Sequence, residues 1–261
     1  MHPMLNTAIK AARSAGNIIV RSMDQLDTLS VSTKGRNDFV SEVDKNAEKE
    51  IIKIIRRAYP SHGFLAEESG SHEGDEESVW IIDPLDGTTN FLHGFPQFAV
   101  SIALKQKGRL EHAVIYDPLR QEIFSASRGA GAQLNDRRIR VSQAKGLEGS
   151  LLGTGFPFRQ MDHLNNYIEI LKSIIPQAAG VRRPGSAALD LAYVAAGRLD
   201  GFWEFGLKPW DLAAGALLVQ EAGGILSDFE GGSEFMRTGD IVAGNPKVMK
   251  AILQAIHRHN K

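Results

Sequence analysis

Apolar residues recur at three- and four-residue spacing in several stretches of the chain, and each stretch predicts a helix with one buried face. The first runs from Leu5 to Met23. The second runs from about Asp44 to Ala58, where Tyr59-Pro60 ends it. The later part of the chain predicts four more helices, at about 162–175, 186–196, 211–222 and 246–256.

Short apolar or alternating runs, separated by Gly, Pro, Asn and Asp, predict strands between these helices. They lie at 80–82, 99–104, 113–116 and 122–126, and near Leu151, Gly201, Gly224 and Ile241. The segment Gly70–Ser78 is rich in Gly, Ser, Glu and Asp and has no periodicity, which predicts a mobile surface connection. Without a repeat or a long linker, the pattern favours a single α+β domain of two packed halves, about 1–145 and 146–261.

Composition adds exclusions to this picture. The 261 residues are 43% hydrophobic, enough for a substantial core, and the formal net charge of -1 gives no bulk attraction to an anionic membrane or to DNA. No apolar run approaches the roughly 20 residues that span a bilayer, and no leader sequence is expected at the N-terminus. The chain has no cysteine, which excludes disulfides, thiolate metal sites and a cysteine nucleophile and suits the cytoplasm.

The segment 80–90 carries the most chemistry, because an apolar strand runs directly into two acids, a proline, a glycine and two threonines. Pro84 stiffens the turn, and the spacing of Asp83 and Asp86 can bring both carboxylates to one side, where they suit a divalent cation. The following Gly-Thr-Thr can open a helix whose free N–H groups bind a phosphate. The same two acids are also ordinary turn residues, since Asp-Pro and Asp-Gly pairs are common in loops.

Three further places in the chain carry acids next to predicted elements. Glu67 and Glu68 follow an apolar, strand-like run, a position that is most often solvated surface. Asp211 opens an apolar helix, where it is expected to be an N-cap. Asp44 begins the second predicted helix, so the same structural interpretation competes there with a functional one. Spacing along the chain does not assemble these acids into one site.

Other hydrolase classes lack their signatures. The eight histidines are scattered without a His-Glu-x-x-His spacing, which argues against a zinc hydrolase. The sequence also lacks the Gly-x-Ser-x-Gly motif of serine hydrolases. The run Gly153–Pro157 lacks the lysine and spacing of a P-loop, so we interpret it as a strand end followed by a turn.

The segments 66–69, 80–91 and 210–215 resemble, in order and spacing, the motifs of the inositol monophosphatase family. The similarity extends over nearly the whole chain and is closest to a bacterial branch of that family; it includes segments 1–6, 98–103, 185–191 and 241–246. The resemblance implies a layered αβαβα sandwich of the sugar phosphatase superfamily, with the active site between its two halves. It also implies a homodimer, lithium sensitivity, and two or three Mg²⁺ ions per site, whose preference for hard oxygen ligands agrees with the carboxylates.

The resemblance further implies a set of metal ligands. Glu67, Asp83 and the main-chain carbonyl of Leu85 would bind the first Mg²⁺, and Asp83, Asp86 and Asp211 would bind the second. Two such ions can stabilise both the attacking and the leaving oxygen of a phosphomonoester.

Catalytic and phosphate-binding roles also follow from the resemblance. Thr88, hydrogen-bonded to Asp44, would act with Glu67 to orient and deprotonate the attacking water. The N–H groups of Gly87 and Thr88 would hold the phosphate.

The resemblance places four residues near the rest of the substrate. Glu204 would accept a hydrogen bond from an inositol hydroxyl, and Ala187 and Asp211 would lie close to the ring. Lys34 would lie in a loop near the site.

The expected reaction is therefore Mg²⁺-dependent hydrolysis of myo-inositol monophosphate, or a similar polyol phosphate, to inositol and phosphate. Related phosphatases that act on fructose-1,6-bisphosphate, 3′-phosphoadenosine 5′-phosphate or NADP share the metal motifs, so the substrate stays open. Members of the bacterial branch also act in transcription antitermination on ribosomal RNA operons, which makes antitermination factors or RNA polymerase alternative partners. Basic clusters at 137–140 and 182–183 can serve such contacts, although a solvated face or a dimer interface is their commoner use.

Overall fold

Two long amphipathic helices begin the computed structural model of the chain, which describes residues 2–28, 31–35, 38–158 and 161–259. Helix α1 (Pro3–Ser22) leads through a 3-10 turn to the hairpin β1 (Val31–Gly35) and β2 (Asp38–Ser41), and α2 (Glu42–Ala58) follows. Helices α1 and α2 confirm the two predicted helices. Each begins two residues earlier than predicted, because Pro3 starts α1 and the Ser41 hydroxyl caps α2 by accepting the Val43 N–H.

The next segment builds an eight-stranded sheet. In space the strands follow the order β10-β9-β8-β7-β6-β5-β3-β4, and β3 and β5 are the parallel pair. Helices α1 and α2 pack on one face of this sheet and bury their apolar stripes there. The strands are β3 (His62–Ala66), β4 (Gly70–His72), β5 (Asp75–Asp86), β6 (Ala99–Gln106), β7 (Arg109–Asp117), β8 (Glu122–Ser127), β9 (Gly131–Leu134) and β10 (Arg137–Arg138).

The prediction of a mobile connection over Gly70–Ser78 is wrong. Most of this segment belongs to β4 and to the start of β5, where His72 pairs with Phe64 and Ser78 pairs with Gln106. Backbone hydrogen bonds to neighbouring strands hold it, and its mostly exposed side chains need no apolar period. An edge strand of this kind gives no hydrophobic signal in the sequence.

A five-stranded sheet forms the other half, in the order β12-β11-β13-β15-β14. Helices α5 and α6 lie between the two sheets, and α4 and α8 cover the outer face of the smaller one. The strands are β11 (Leu151–Thr154), β12 (Gly180–Arg182), β13 (Gly201–Glu204), β14 (Ile225–Ser227) and β15 (Ile241–Gly244). The helices are α3 (Thr88–Leu92), α4 (Leu164–Ile174), α5 (Ala187–Ala195), α6 (Pro209–Glu221), α7 (Phe235–Thr238) and α8 (Pro246–His259).

These layers form the αβαβα sandwich that the family resemblance implies. The position of α6 explains its composition, since a helix between two sheets buries every side from Leu212 to Val219. The predicted boundary near residue 145 stays a prediction. The core between the sheets takes side chains from both sides of it, among them Ile115 and Leu217. Within the described residues, none of the helices has the length and hydropathy that crossing a membrane requires.

Candidate active site

Three aspartates from two different layers meet at one point. Asp83 and Asp86 stand at the end of β5, and Asp211 is the third residue of α6. Each offers one carboxylate oxygen, and these oxygens lie within 4.8 Å of one another. Asp83 and Asp211 are buried and Asp86 is partly buried, so solvent screens their mutual repulsion only weakly.

Glu67 joins this group through the parallel pairing of β3 and β5. Ala66 pairs with Ile82, and the Glu67 N–H donates to the Ile82 carbonyl at 3.1 Å, which aligns the carboxyl ends of the two strands. The Glu67 side chain hydrogen-bonds to Asp83. The sequence reading of Glu67 as ordinary solvated surface therefore does not hold in the tertiary structure.

The electrostatics of this cluster suit a cation. Burial raises the pKa of Asp83 well above its usual value, and the charges of Glu67, Asp86 and Asp211 and the hydrogen bond with Glu67 raise that pKa further. A buried group of acids that repel one another is stabilised when a divalent cation neutralises them. Because the donors are all oxygens, the set fits Mg²⁺ rather than a metal that prefers nitrogen or sulfur.

A tight turn in the last residues of β5 orients the cluster. Within it the Leu85 N–H donates to one carboxylate oxygen of Asp83 at 3.0 Å, an Asx turn of the kind that Asp-Pro favours. The Leu85 carbonyl lies 3.0 Å from the Thr88 hydroxyl and is an alternative acceptor for its single proton. When that proton goes to another acceptor, the carbonyl keeps both lone pairs for other partners. Leu85 lines the same pocket as the acids.

Thr88 is tied to α2 by a hydrogen bond across the fold. Its hydroxyl donates to Asp44 at 2.8 Å, and the other oxygen of Asp44 accepts the backbone N–H and the hydroxyl of Ser41. Burial raises the pKa of Asp44, while the donors from Ser41 and Thr88 lower it. The N-cap of α2 is Ser41 and not Asp44, which is the third residue of the helix and completes a capping box with Ser41. Asp44 is also the acceptor behind Thr88.

Gly87 leads into α3 with φ of 94°, a conformation that glycine adopts without strain. A Cβ at this position would lie 2.8 Å from the Gln97 carbonyl oxygen. The absence of a side chain therefore lets the backbone of Gly87 and Thr88 line the pocket beside the three aspartates.

The opposite wall of the pocket comes from the five-stranded sheet and α5. Glu204 ends β13 and Ala187 begins α5, and both line the same pocket of about 390 Å³. Gly155 makes room for Glu204, since a Cβ at Gly155 would overlap its carboxyl group.

Three residues of this wall were not predicted from the sequence to line the pocket. The Arg183 guanidinium lies 5.4 Å from the ring centroid of Phe156 and 5.0 Å from that of Phe158, and all three residues line the pocket. The run Gly153–Pro157 is a strand end and turn, as predicted, and the turn also forms part of the wall. The sequence signal for them was a pair of phenylalanines separated by one residue, together with an arginine in a later segment. Because the two segments are distant in sequence, their contact could not be predicted from spacing.

The fold brings the predicted site residues together. Asp44 lies directly behind Thr88, and the other predicted site residues line the pocket: Glu67, Asp83, Leu85, Asp86, Gly87, Thr88, Ala187, Glu204 and Asp211. The backbone of Lys34 belongs to β1, and its side chain lies outside the described part of the structure. The roles of these residues stay predictions.

Comparison with known proteins gives concordant results. The model of the inositol monophosphatase family matches residues 1–261. The chain is 61% identical to the Nus factor SuhB of Pseudomonas aeruginosa, over 99% of this chain and 97% of that protein.

Solved structures share the fold over almost their full length. The extragenic suppressor protein suhB from Bartonella henselae is 47% identical, with a TM-score of 0.95 and 98% of each chain covered. The inositol monophosphatase from Anabaena (Nostoc) sp. PCC 7120 is 41% identical, with a TM-score of 0.86, over 98% of this chain and 95% of that one. These similarities confirm the predicted family and its SuhB-like bacterial branch.

Proposed function

Since the chain belongs to the inositol monophosphatase family, we propose that it hydrolyses inositol monophosphate, or a similar small polyol phosphate, to the free polyol and phosphate in a Mg²⁺-dependent reaction. Membership of the family supports phosphatase activity, and the substrate is the finer part of the proposal. The observation that carries it is the group of three carboxylates, Asp83, Asp86 and Asp211, in a pocket that Thr88 and Glu204 also line.

The acids of the pocket have proposed roles as ligands. Glu67, Asp83 and the Leu85 carbonyl would hold one Mg²⁺, and Asp83, Asp86 and Asp211 another. When bound, such ions neutralise phosphate oxygens and lower the pKa of a coordinated water.

Thr88 and Glu67 have the proposed role of preparing the nucleophile. Because the Thr88 proton points to Asp44, the Thr88 oxygen keeps lone pairs for a hydrogen bond from a water molecule in the pocket. Glu67 can accept a proton from the same water. The Gly87 and Thr88 N–H groups, at the beginning of α3, would then bind the phosphate oxygens.

The other wall suits a hydroxylated ring. Glu204 can accept hydrogen bonds from vicinal hydroxyls, with Ala187 and Asp211 close to the same part of the substrate. The pocket volume of about 390 Å³ is near the lower end of the range for ligand pockets, roughly 300–1,000 Å³. This size favours a monocyclic polyol phosphate over NADP.

The first experiment measures phosphate release from inositol-1-phosphate, with and without Mg²⁺, for the wild type and Asp83→Asn. We expect activity only with Mg²⁺ and a loss of at least about 100-fold in the variant. Asp117→Asn is the matched control, because Asp117 is equally buried but pairs with Arg120 outside the pocket. Unchanged activity in Asp83→Asn would refute the site, and activity only on fructose-1,6-bisphosphate, 3′-phosphoadenosine 5′-phosphate or NADP would refute the substrate. Added lithium tests inhibition in the same assay.

A second proposed function is transcription antitermination, in complex with RNA polymerase or antitermination factors. The relative from Pseudomonas aeruginosa is named a Nus factor, and the 61% identity is measured over 99% of this chain. Purified RNA polymerase and antitermination factors should be retained by both the immobilised wild type and Asp83→Asn. If neither retains them, this function is refuted, and if only the wild type does, binding depends on the active site.

We also propose that the protein is a cytoplasmic homodimer, as expected from the family. Light scattering should give about twice the chain mass of 28.5 kDa. A monomer mass at micromolar concentration would contradict this.

A further inference from the structure

Asp86 is held by groups that lie about 100 residues further along the chain. One of its carboxylate oxygens, Oδ2, accepts the Ser186 hydroxyl at 2.6 Å and the Ala188 N–H at 2.8 Å. Ser186 is almost completely buried, so water does not compete effectively for the hydroxyl. An acid at the end of β5 is thus oriented by the first turn of α5.

Ser186 has two partners and connects them. It is the N-cap of α5, and its oxygen accepts the Leu189 N–H at 3.4 Å while its proton goes to Asp86. The N-terminal end of a helix carries partial positive charge, which favours an anion there. Hydrogen bonds to an ionised carboxylate are also stronger than neutral ones.

The segment that carries Ser186 is itself anchored next to the end of β5. The Asn90 side-chain amide donates to the Gln97 carbonyl at 2.7 Å and to the carbonyls of Pro184 and Gly185 at 2.9 and 3.3 Å. Since Asn90 lies in α3, four residues after Asp86, the serine and the aspartate have a defined separation.

We propose that Ser186 is a positioning residue for divalent-cation binding, which it supports by fixing the Asp86 carboxyl group beside Asp83 and Asp211. This inference rests on the metal site of the proposed function. Three carboxylate oxygens within 4.8 Å repel one another, and a carboxyl group free to rotate would turn away from the other two. The Ser186 hydroxyl and the Ala188 N–H hold Asp86 against this repulsion.

Ser186→Gly and Ser186→Thr test the role of the hydroxyl. Glycine is a tolerated N-cap, costing only a few tenths of a kcal/mol relative to serine, so Ser186→Gly removes the hydroxyl with little effect on the helix. Threonine keeps both the hydroxyl and the cap. Calorimetric titration with Mg²⁺ should show binding about 10- to 100-fold weaker in Ser186→Gly and close to wild type in Ser186→Thr.

Ser150→Gly is the control, because Ser150 is equally buried and its hydroxyl donates to the Gly146 carbonyl, outside the pocket. Its Mg²⁺ affinity should equal that of the wild type. In turnover assays of Ser186→Gly, the Mg²⁺ concentration needed for half-maximal rate should rise, while kcat at saturating Mg²⁺ stays near the wild-type value. A purely structural defect would lower kcat at every Mg²⁺ concentration.

Wild-type affinity in Ser186→Gly, or affinity in Ser186→Thr as weak as in the glycine variant, would overturn the inference. So would a wild type that binds no Mg²⁺ at all. A wild type that binds Mg²⁺ but hydrolyses no phosphomonoester would refute the proposed function only, and the calorimetric comparison would still decide the role of Ser186.

Discussion

Asp44→Asn changes a carboxylate that is completely buried and accepts hydrogen bonds from three donors, the Thr88 hydroxyl and the N–H and hydroxyl of Ser41. Asparagine keeps one acceptor oxygen and replaces the other by an NH₂ group. The orientation that keeps both bonds to Ser41 points the NH₂ at Thr88. Thr88 must then give its proton to the Leu85 carbonyl, 3.0 Å away, and use a lone pair for the amide instead of water.

The expected loss follows from one hydrogen bond to a charged acceptor, about 1.5–3 kcal/mol. If that bond acts in the transition state, kcat falls by about 10- to 150-fold. The cost in stability is smaller, about 1 kcal/mol or less, because burial already raises the pKa of Asp44 and a neutral side chain removes that desolvation penalty.

A double-mutant cycle tests whether Thr88 acts through Asp44. We expect kcat on inositol-1-phosphate to fall in Asp44→Asn and in Thr88→Val, and the double variant to be no slower than Thr88→Val alone. Thr88→Ser keeps the hydroxyl and should stay within about tenfold of the wild type. If the losses in the two single variants multiply in the double variant, the two residues act independently and the reasoning is refuted. Thermal unfolding of each variant checks that the fold is retained.

Three further changes have defined outcomes. Gly155→Ala places a methyl group on the Glu204 carboxyl, so KM for inositol-1-phosphate should rise at least tenfold, while turnover of p-nitrophenyl phosphate, which has no polyol ring, changes little. Gly215→Ala puts a Cβ 2.5 Å from Leu191 in the packed contact of α5 and α6. The gain of about 1 kcal/mol in helix propensity is smaller than the overpacking cost of about 1–3 kcal/mol. Unfolding in urea should therefore show net destabilisation of this variant. Burial lowers the pKa of His112 from 6.5 to about 4, so the unfolded chain binds the proton more tightly. The free energy of unfolding should therefore fall by at most about 3 kcal/mol as pH drops from 7 to 4.

Matched variants identify what each result means. Gly146→Ala introduces the same methyl group into open space and should leave KM unchanged without lowering stability. A His112→Asn variant should lose the part of the pH dependence that the histidine contributes. An equal rise of KM for both substrates in Gly155→Ala, a stabilised Gly215→Ala, or the full pH slope in His112→Asn would each contradict the corresponding argument.

The sequence predicted most elements because their signals are local. Apolar periodicity located α1 and α2 to within two residues, and the strand-turn pattern of 80–90 predicted both the corner at Asp83 and the helix opened by Thr88. The failure at Gly70–Ser78 has the same cause, since backbone pairing at a sheet edge requires no apolar period.

The capping residues show where local reasoning ends. The interpretation of Asp44 and Asp211 as N-caps is wrong by three residues, because the N-caps are Ser41 and Lys208. Each aspartate is the third residue of its helix and accepts the N–H of the N-cap residue. The same side chains also reach the candidate site, Asp44 through Thr88 and Asp211 through its two neighbouring aspartates. A carboxylate has two oxygens and can make both contacts. The sequence indicated only the hydrogen bond at the beginning of the helix and not the contact with the candidate site.

The residue types that can bind a cation and a phosphate, and the turn that carries two of the acids, were determined by the sequence itself, because they depend on side-chain chemistry and on dihedral preferences of adjacent residues. The convergence of Glu67, Asp83 and Asp211, and the contact of Ser186 with Asp86, were decided only by the tertiary structure. The parallel register of β3 and β5 and the packing of α5 and α6 between two sheets bring these groups together. Such packing sums many small contacts between residues distant in sequence, and no spacing along the chain encodes it.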